Sequence, residues 1–348
     1  MARFVSRLAP RLLLGGLAAL AVAVAPSAVQ AQAAVNVYTT REPGLAKPLF
    51  DAFTTSTGIA VNTVFVKEGL AERVKAEGAA SPADVLMTVD VGNLLDLVDQ
   101  GVTQPVRSTI LEKSIPANLR GTDGNWFALS ARARVAYVAK DRVKDAALTY
   151  EGLADPKWKG EICIRSGKHP YNTALIAAYI VHHGAAQAEE WLKGVKANLA
   201  RKPAGGDREG ARDILGEVCD VAIGNSYYVG LMRSGAGGPE QKNWGEAIRV
   251  VLPTFAGGGT MVNVSGASVA KNAPNQANAV KLLEFLVSPQ AQEIYAKANF
   301  EYPVVPEAPV DPIIAALGPL KVDTVNLVEV ARQRKAAADL IDKVGFDN

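Results

Sequence analysis

The chain alternates short apolar segments with amphipathic ones, and this alternation limits its possible folds more than any other feature. Residues 35–38 predict a strand, and residues 45–55 predict a helix with its apolar side chains on one face. A second strand over 59–66, a helix over 69–76 and a strand over 83–87 follow. Repeated βαβ units of this kind are typical of a layered α/β domain.

A second group of elements begins with the strand predicted over residues 134–139. Its members are strands over 161–165 and 221–223, and helices over 172–181, 186–199 and 207–217. Residues 249–253 then return the chain to the first group, where helices over 277–286 and 289–298 form a pair. Two crossings between the groups imply a double hinge, the geometry of two-lobed binding proteins that close around a ligand in a cleft.

These elements divide the chain into predicted parts. They are a leader over 1–31, a discontinuous lobe 1 over 34–133 and 246–316, a lobe 2 over 134–245, and a C-terminal helical tail over 317–348. The roughly 315 residues after the leader exceed one compact core, which agrees with two lobes. The tail is amphipathic over 326–344 and should pack across the lobes through Leu327, Val330, Leu340 and Ile341.

The first residues have the pattern of a secretory signal peptide. Arg3, Arg7 and Arg11 form a basic region. An apolar run over 12–25 and small residues up to Ala31 follow, and we expect cleavage after Ala31. The run is short for a membrane span and no cysteine stands at the cleavage site, so we expect neither stable membrane insertion nor a lipid anchor. We therefore expect an exported monomer, most simply in a bacterial periplasm.

The charge of the chain argues against nucleic acid as a partner. The full sequence has 37 Lys and Arg against 35 Asp and Glu, a formal net charge of +2. The leader carries three arginines and no acid, so its removal leaves 34 basic against 35 acidic side chains, or about −1. A near-neutral surface offers little attraction for a phosphate backbone.

The sequence contains two cysteines, Cys163 and Cys219, and each lies on or beside a predicted strand. In an oxidising compartment a bridge between them would persist. It would close a loop of about 56 residues and stabilise the fold by about 4 kcal/mol in the chain-entropy model. The alternative is two buried free thiols. We expect the bridge.

Three tyrosines stand at the carboxyl ends of two predicted strands. Tyr227 and Tyr228 follow the break at residues 224–226 and begin a helix. Neighbouring side chains on a helix lie about 100° apart, so both phenols can converge on one ion. Tyr171 follows the strand that carries Cys163 and also begins a helix. Because open α/β sheets hold ligands beyond the carboxyl ends of their strands, we expect three phenols around one point.

Three phenols suit a hard trivalent cation. Fe3+ prefers anionic oxygen donors, and its charge displaces the phenol protons. The remaining coordination positions could take a carboxylate, water or a small anion such as carbonate. In the facing first loop, Arg41 would hold that anion, and Glu42 is either a further oxygen ligand or a solvated carboxylate. Asn172 either caps its helix or contacts the bound anion or water.

Several segments together carry a family resemblance. They are residues 37–42, 81–90, 126–134, 153–160, 163–166, 206–208, 220–228 and 288–292. From Val35 to about Ala316 the chain resembles the periplasmic ferric-iron-binding proteins of ABC transporters, in the transferrin-like group. The resemblance implies a type II periplasmic binding protein fold, and it implies a membrane permease and a cytoplasmic ATPase as partners.

The family's tyrosine ligands match Tyr171, Tyr227 and Tyr228 in this sequence. Similar proteins often place His-Tyr after the arginine of the first loop, whereas this chain has Glu42-Pro43. The departure removes an imidazole and a phenol. It favours a three-tyrosine site completed by carbonate, water or Glu42.

These observations predict a periplasmic substrate-binding protein that captures Fe3+ and delivers it to an ABC importer. One alternative is a binding protein for a small organic anion such as a phosphonate, held by Arg41 and tyrosine hydroxyls. Another is an exported hydrolase that uses the metal as a Lewis acid. No convincing base and no hydrolase motif are evident, so we expect no enzyme activity. Ferrous iron is less favoured, because soft or imidazole ligands are not evident.

The remaining polar residues near these segments have simpler interpretations. We expect His169 to be exposed to solvent and His182-His183 to act as a charge partner for a helix end. We expect Tyr38 to pack or form a hydrogen bond near the cleft. Arg132 and Arg134 flank a strand crossing, and neither is predicted as a site residue.

Overall fold

The computed structural model describes residues 1, 2, 33–144 and 147–348. The predicted leader over 1–31, with its cleavage after Ala31, lies outside the described residues except for its first two. The strands are β1 (Ala34–Thr39), β2 (Ala60–Phe65), β3 (Val85–Thr88), β4 (Thr103–Gln104), β5 (Phe127–Ala139), β6 (Ile162–Cys163), β7 (Val221–Asn225), β8 (Ile248–Val251), β9 (Val262–Ala270) and β10 (Tyr302–Pro303). In the described part they form one mixed sheet with the central order β2-β1-β3-β9-β5-β7-β6.

The helices begin and end where the sequence supplies local signals. They are α1 (Pro43–Thr57), α2 (Leu70–Glu77), α3 (Val91–Asp99), α4 (Thr109–Ser114), α5 (Pro170–Ala197), α6 (Asp207–Leu215), α7 (Ser226–Arg233), α8 (Pro239–Ala247), α9 (Gln276–Leu286), α10 (Pro289–Asn299), α11 (Pro312–Ala315), α12 (Leu327–Arg332) and α13 (Arg334–Val344). The Asp90 carboxylate, for example, accepts hydrogen bonds from two backbone N–H groups at the start of α3. Gly58, with a φ of 72°, ends α1.

The first part of the sheet is parallel. β1 runs parallel to both β2 and β3, which confirms the predicted βαβαβ opening. Val35 and Val37 of β1 are fully buried between the layers. The carboxyl ends of these three strands therefore lie at one edge, and the first loop, residues 40–42, leaves β1 at that edge.

Strand β5 connects two parts of the sheet. Its residues 127–133 pair with β9, and its residues 134–138 pair with β7. The change of partner falls at residue 134, where the sequence analysis puts the first lobe crossing. β8 pairs with residues 136–139 of β5, so this pairing favours a return crossing after Val251 rather than at residue 246. The lobe boundaries themselves stay predictions.

The second part of the sheet carries the disulfide. β6 and β7 are parallel neighbours, and Cys163 at the end of β6 is bonded to Cys219, just before β7. Their Cα atoms lie 5.9 Å apart. The predicted bridge is confirmed, and it ties together the two strands that precede the tyrosines.

Helix α5 is interrupted where the sequence predicts a gap between two helices. Gly184 has φ 79° and ψ 161°, a conformation that glycine adopts without the steric cost of a side chain. The helix resumes beyond it and ends at Ala197.

The tail packs on helices from both parts of the sheet. α12 contacts α3 and α5, and α13 contacts α5. The side chains predicted to dock are all buried: Leu327, Val330, Leu340 and Ile341. In the described part of the chain, no helix is both long enough and apolar enough to cross a membrane.

Candidate metal site

The three predicted phenols form one cluster beyond the ends of β6 and β7. Tyr171 is the second residue of α5, and Tyr227 is the second residue of α7. Their hydroxyl oxygens lie 3.4 Å apart. The ring of Tyr228 lies 4.1 Å from that of Tyr227, measured between centroids. Parallel pairing of β6 and β7 brings these helix starts together, as the sequence predicts.

His169 starts the helix that carries Tyr171. Its Nδ1 accepts a hydrogen bond from the Tyr171 N–H at 3.2 Å, and Pro170 occupies the first helical position. The prediction that His169 is exposed is wrong, because its ring is half-buried and lies 4.6 Å from that of Tyr171. Burial and the charge of Arg165 lower the pKa of His169 to about 4, so the ring is neutral and can accept.

A close approach of Tyr137 fixes the turn into α7. The Tyr137 hydroxyl donates to the Asn225 carbonyl at 2.6 Å. A Cβ at Gly224 would lie 2.3 Å from the Tyr137 ring, so this position requires glycine. The Asn225 N–H donates to Asp207 Oδ2 at 3.0 Å. These contacts set the direction in which Tyr227 leaves the strand.

The environment of Tyr227 and Tyr228 keeps these two phenols protonated in the absence of metal. Burial raises the pKa of Tyr227 well above the usual tyrosine value, and the phenols of Tyr171 and Tyr228 raise it further. Burial, followed by the Tyr171 phenol, also raises the pKa of Tyr228. A cation that binds these oxygens as phenolates must therefore displace protons.

Three guanidinium groups surround the tyrosine rings. The Arg165 Cζ atom lies 5.4 Å from the centroid of the Tyr171 ring, and the Arg134 Cζ atom lies 5.9 Å from it. The Arg208 Cζ atom lies 5.5 Å from the centroid of the Tyr228 ring. Such contacts hold the rings and place positive charge beside oxygens that can become anionic.

Arg134 and Asp207 form a buried ion pair behind the tyrosines. Arg134 Nη1 lies 2.6 Å from Asp207 Oδ2, and Arg165 Nη1 lies 3.3 Å from Oδ1. Neither Arg134 nor Asp207 was predicted as a site residue. One signal in the sequence could have indicated this pair. Arg134 lies in β5, whose residues are all buried, and a buried charge needs a partner.

Asn172 has hydrogen bonds that the sequence analysis does not predict. Its Oδ1 accepts from Arg134 Nη2 at 2.5 Å, and its Nδ2 donates to the Arg165 and Ser166 carbonyls at 2.9 and 3.2 Å. The prediction that Asn172 caps α5 is wrong, because His169 is the cap. Its contact with a bound anion stays a prediction, although its amide atoms already have partners.

Arg41 is buried in an ion pair. Its Nη2 donates to Glu301 at 2.9 and 3.1 Å and to Ser265 Oγ at 2.5 Å. With the Asn299 amide oriented to satisfy its hydrogen bonds, the Asn299 oxygen accepts from Nη1 at 3.0 Å. This bonding gives little support for Arg41 as an anion ligand, and that role stays a prediction.

Glu42 is exposed at the start of α1. In residues 33–144 and 147–348 its carboxylate has no hydrogen bond or ion pair, and it does not cap the helix. Among the described residues, no hydrogen bond joins the Glu42 carboxylate to the tyrosine hydroxyls. The predicted alternative of a solvated loop carboxylate agrees with this placement, and metal ligation by Glu42 stays a prediction.

The two remaining histidines pair with carboxylates. His182 Nε2 lies 2.6 Å from Asp323, and His183 Nε2 lies 2.7 Å from Glu151. Both precede the interruption of α5 at Gly184, and their predicted role as charge partners of a helix end stays a prediction. Tyr38 forms the expected hydrogen bond, donating to Glu77 at 3.2 Å. Among the described residues, no group of three or more His, Cys, Asp or Glu side chains is placed to hold a metal ion.

Helix α7 is held from behind by a close contact at Gly230. This glycine stands one turn after Tyr227, and a Cβ there would lie 2.2 Å from the Phe300 ring. Phe300 follows α10 and has a φ of 54°, which is rare for a bulky residue. The bare face of the helix is therefore filled by an aromatic ring from another element.

The fold and the cluster define a solute-binding protein, and the sequence comparison agrees. Residues 80–322 match the bacterial extracellular solute-binding protein family, and the chain belongs to this family. Over 334 residues it is 42% identical to iron uptake protein A2 of Synechocystis sp., covering 95% of each chain.

Two solved structures are similar along nearly their whole length. The Bordetella ferric binding protein is 62% identical, with a TM-score of 0.88, over 90% of this chain and 100% of that one. The Trichodesmium protein IdiA (FutA), solved in complex with iron and citrate, is 41% identical, with a TM-score of 0.86, over 90% and 99%. The predicted two-lobed α/β binding-protein fold is confirmed.

Proposed function

We propose that this chain is a periplasmic ferric-iron-binding protein that takes Fe3+ through the phenolates of Tyr171, Tyr227 and Tyr228. The observation that carries the proposal is the convergence of these phenols, with 3.4 Å between the Tyr171 and Tyr227 hydroxyl oxygens. Two donors at that separation can share one cation. Three phenolates balance the charge of Fe3+ and supply the hard oxygen donors that it prefers.

The relatives support the same cargo. They include an iron uptake protein and a ferric binding protein, and another was solved with iron and citrate. Three phenolates leave coordination positions for a small anion, for which we propose carbonate or a carboxylate. Arg134, Arg165 and Arg208 add positive charge near the cluster that would favour such an anion.

We further propose delivery of the iron to an ABC importer rather than catalysis. Membership of an extracellular solute-binding family supports this role, because such proteins hand their ligand to a membrane permease and its ATPase. Fe3+ is here the cargo, so the protein must bind it tightly and also release it. Displacement of phenol protons on binding makes both steps depend on pH.

The test is optical. Addition of ferric nitrilotriacetate to the metal-free protein should produce a visible tyrosinate-to-iron charge-transfer band. Tyr227→Phe and Tyr228→Phe should weaken or abolish this band. Tyr38→Phe is the matched control, because the Tyr38 hydroxyl bonds to Glu77 instead. A colourless wild-type protein would contradict the proposal.

The guanidinium groups also favour a second candidate, a binding protein for a small organic anion without metal. In rigorously metal-free buffer, such an anion should then raise the melting temperature of the wild-type protein. A phosphonate and citrate are suitable probes. If the anion raises the melting temperature only after iron is added, the result would support the ferric site.

A further inference from the structure

The loop before Tyr171 is held by a carboxylate from the tail. Asp347 Oδ1 accepts from the Gly167 N–H at 2.7 Å. Its Oδ2 accepts from Ser166 Oγ at 2.6 Å and from the Lys168 N–H at 3.4 Å. One side chain thus binds three consecutive loop residues. Charge-assisted hydrogen bonds of this kind are stronger than neutral ones.

The same loop rests on apolar side chains of the tail. A Cβ at Gly167 would lie 2.9 Å from the Phe346 ring and 3.2 Å from Ile341, so the bare backbone touches both. Phe346 and Ile341 are each 1% exposed. The Thr173 hydroxyl donates to the Gly167 carbonyl at 3.1 Å. Gly167 is therefore fixed both by the tail and by the first turn of α5.

The tail itself is anchored at this point. Lys196 Nζ donates to the carbonyls of Val344 and Gly345 at 3.1 and 2.6 Å. Gly345 ends α13 with a φ of 60°, which turns the chain toward the loop. The backbone just before Asp347 is therefore held in place by these contacts.

The position of this loop sets the position of the Tyr171 phenol. The His169 N–H donates to the Ser166 carbonyl at 3.2 Å, and the His169 ring caps Tyr171. Asn172 also donates to the Ser166 carbonyl. A shift of residues 166–168 is therefore passed through these hydrogen bonds to the start of α5.

We propose that Asp347 is a positioning residue for the metal site: it fixes the 166–168 loop so that the Tyr171 phenol stays within reach of Tyr227. The inference rests on the proposed ferric function. Metal ligands must be held within a fraction of an ångström, and misplacement by about 1 Å can change a rate by as much as 100-fold. Loss of the carboxylate should therefore weaken the iron bond to Tyr171 while the fold persists.

The experiment compares Asp347→Ala with Asp342→Asn. Asp342 is the matched control, because it forms an exposed ion pair with Lys168 at 2.6 Å on the same loop but bonds to none of its backbone. Iron-loaded Asp347→Ala should transfer iron to a competing chelator about tenfold faster than wild type. Its charge-transfer band should shift, and the Asp342→Asn protein should match wild type in both measurements.

A measurement without metal tests the same contact. The amides of Gly167 and Lys168 should exchange hydrogen faster in Asp347→Ala than in wild type, since they lose their acceptor. Asp347→Asn keeps an oxygen acceptor and should fall between the two, which provides a milder variant if the alanine protein folds poorly.

Three results separate the possibilities. A coloured wild type together with an Asp347→Ala protein that has the wild-type band and release rate would overturn the positioning role alone. A lower melting temperature with an unchanged band and release rate would assign Asp347 a structural role only, and would also overturn it. A colourless wild type would instead contradict the ferric function on which the inference rests.

Discussion

The tyrosine cluster and the Arg41 cluster differ in how their polar atoms are bonded. Around Arg41, a buried guanidinium shares the Glu301 carboxylate and the Ser265 hydroxyl. In the other cluster the hydroxyls of Tyr171 and Tyr227 bond to each other, and both side chains are only half-buried. A buried charge that is held by an ion pair fixes the structure, whereas a half-buried hydroxyl with one weak partner can exchange that partner for a cation.

The comparison also shows where positive charge is neutralised. Glu301 balances Arg41 and lies 3.8 Å from Arg132, so that network carries its own counter-charge in the interior. Behind the tyrosines, Asp207 is likewise paired with two arginines, Arg134 and Arg165. Each network therefore sets one carboxylate against two guanidinium groups, and the tyrosine side has the Arg208 guanidinium in addition, a positive charge that phenolates or a bound anion would neutralise.

The largest expected effect comes from the bridge, which supports the tyrosine side. The double variant Cys163→Ala, Cys219→Ala should lose about 4 kcal/mol of the free energy of unfolding, because the unfolded chain gains loop entropy. Urea unfolding measures this loss. Mild reduction of the wild-type protein is the control and should reproduce most of it. A loss below about 1 kcal/mol would mean that strand packing alone holds β6 against β7.

Next in size are the two buried ion pairs. Asp207→Asn leaves Arg134 and Arg165 without a counter-charge, and Glu301→Gln does the same to Arg41. Each should lower the free energy of unfolding by about 3 kcal/mol. The two variants should differ in the iron-loaded spectrum, since Arg134 and Arg165 lie beside the Tyr171 ring. A shifted charge-transfer band in Asp207→Asn but not in Glu301→Gln would support the difference between the two clusters, and equal shifts would contradict it.

Acid should act mainly on the Arg41 cluster and alkali mainly on the tyrosine cluster, although Arg41 and Tyr227 interact electrostatically. Burial acts to raise the pKa of Glu301, but Arg41 and Arg132 lower it more, so the folded value lies below the usual 4.5. The ionised Glu301 carboxylate therefore stabilises the folded state above about pH 4.5, and this contribution is lost as the pH falls further. Tyr227 and Tyr228 have folded pKa values above the usual 10.0, so their contribution is present below about pH 10 and is lost as the pH rises.

The free energy of unfolding of the metal-free protein, measured from pH 3 to pH 11, checks this assignment. Glu301→Gln should flatten chiefly the acid limb, with a smaller change on the alkaline limb through Tyr295. The double variant Tyr227→Phe, Tyr228→Phe should flatten the alkaline limb only. If either change altered the opposite limb to the same degree, the assignment of one limb to each cluster would be wrong.

The smallest expected effect is at Glu42. Because its carboxylate is exposed, Glu42→Gln should change the free energy of unfolding by less than about 0.5 kcal/mol. The charge-transfer band should keep its position, and iron release should stay within about twofold of wild type. A clear band shift would instead identify Glu42 as the metal ligand from the first loop.

Much of the site could be predicted because its signals are local. A strand followed by Gly224-Asn225-Ser226 predicts the start of α7, and the tyrosines follow it directly. The cysteines indicate which strands lie together. The pairing of Arg134 with Asp207 and of Arg41 with Glu301 could not be predicted, since these partners are 73 and 260 residues apart in sequence. No local pattern specifies such a distant partner, although a buried arginine in β5 requires one.

The contact of Gly230 with Phe300 has a consequence for protein engineering. A selection for variants that prefer another cation would naturally randomise the face of α7 that carries Tyr227 and Tyr228, the proposed donors. Residue 230 should be left out of any such library, because every other side chain would meet the Phe300 ring at 2.2 Å. The side chains on the tyrosine face of α7 can be replaced, but the face that packs on Phe300 has no room for a larger residue.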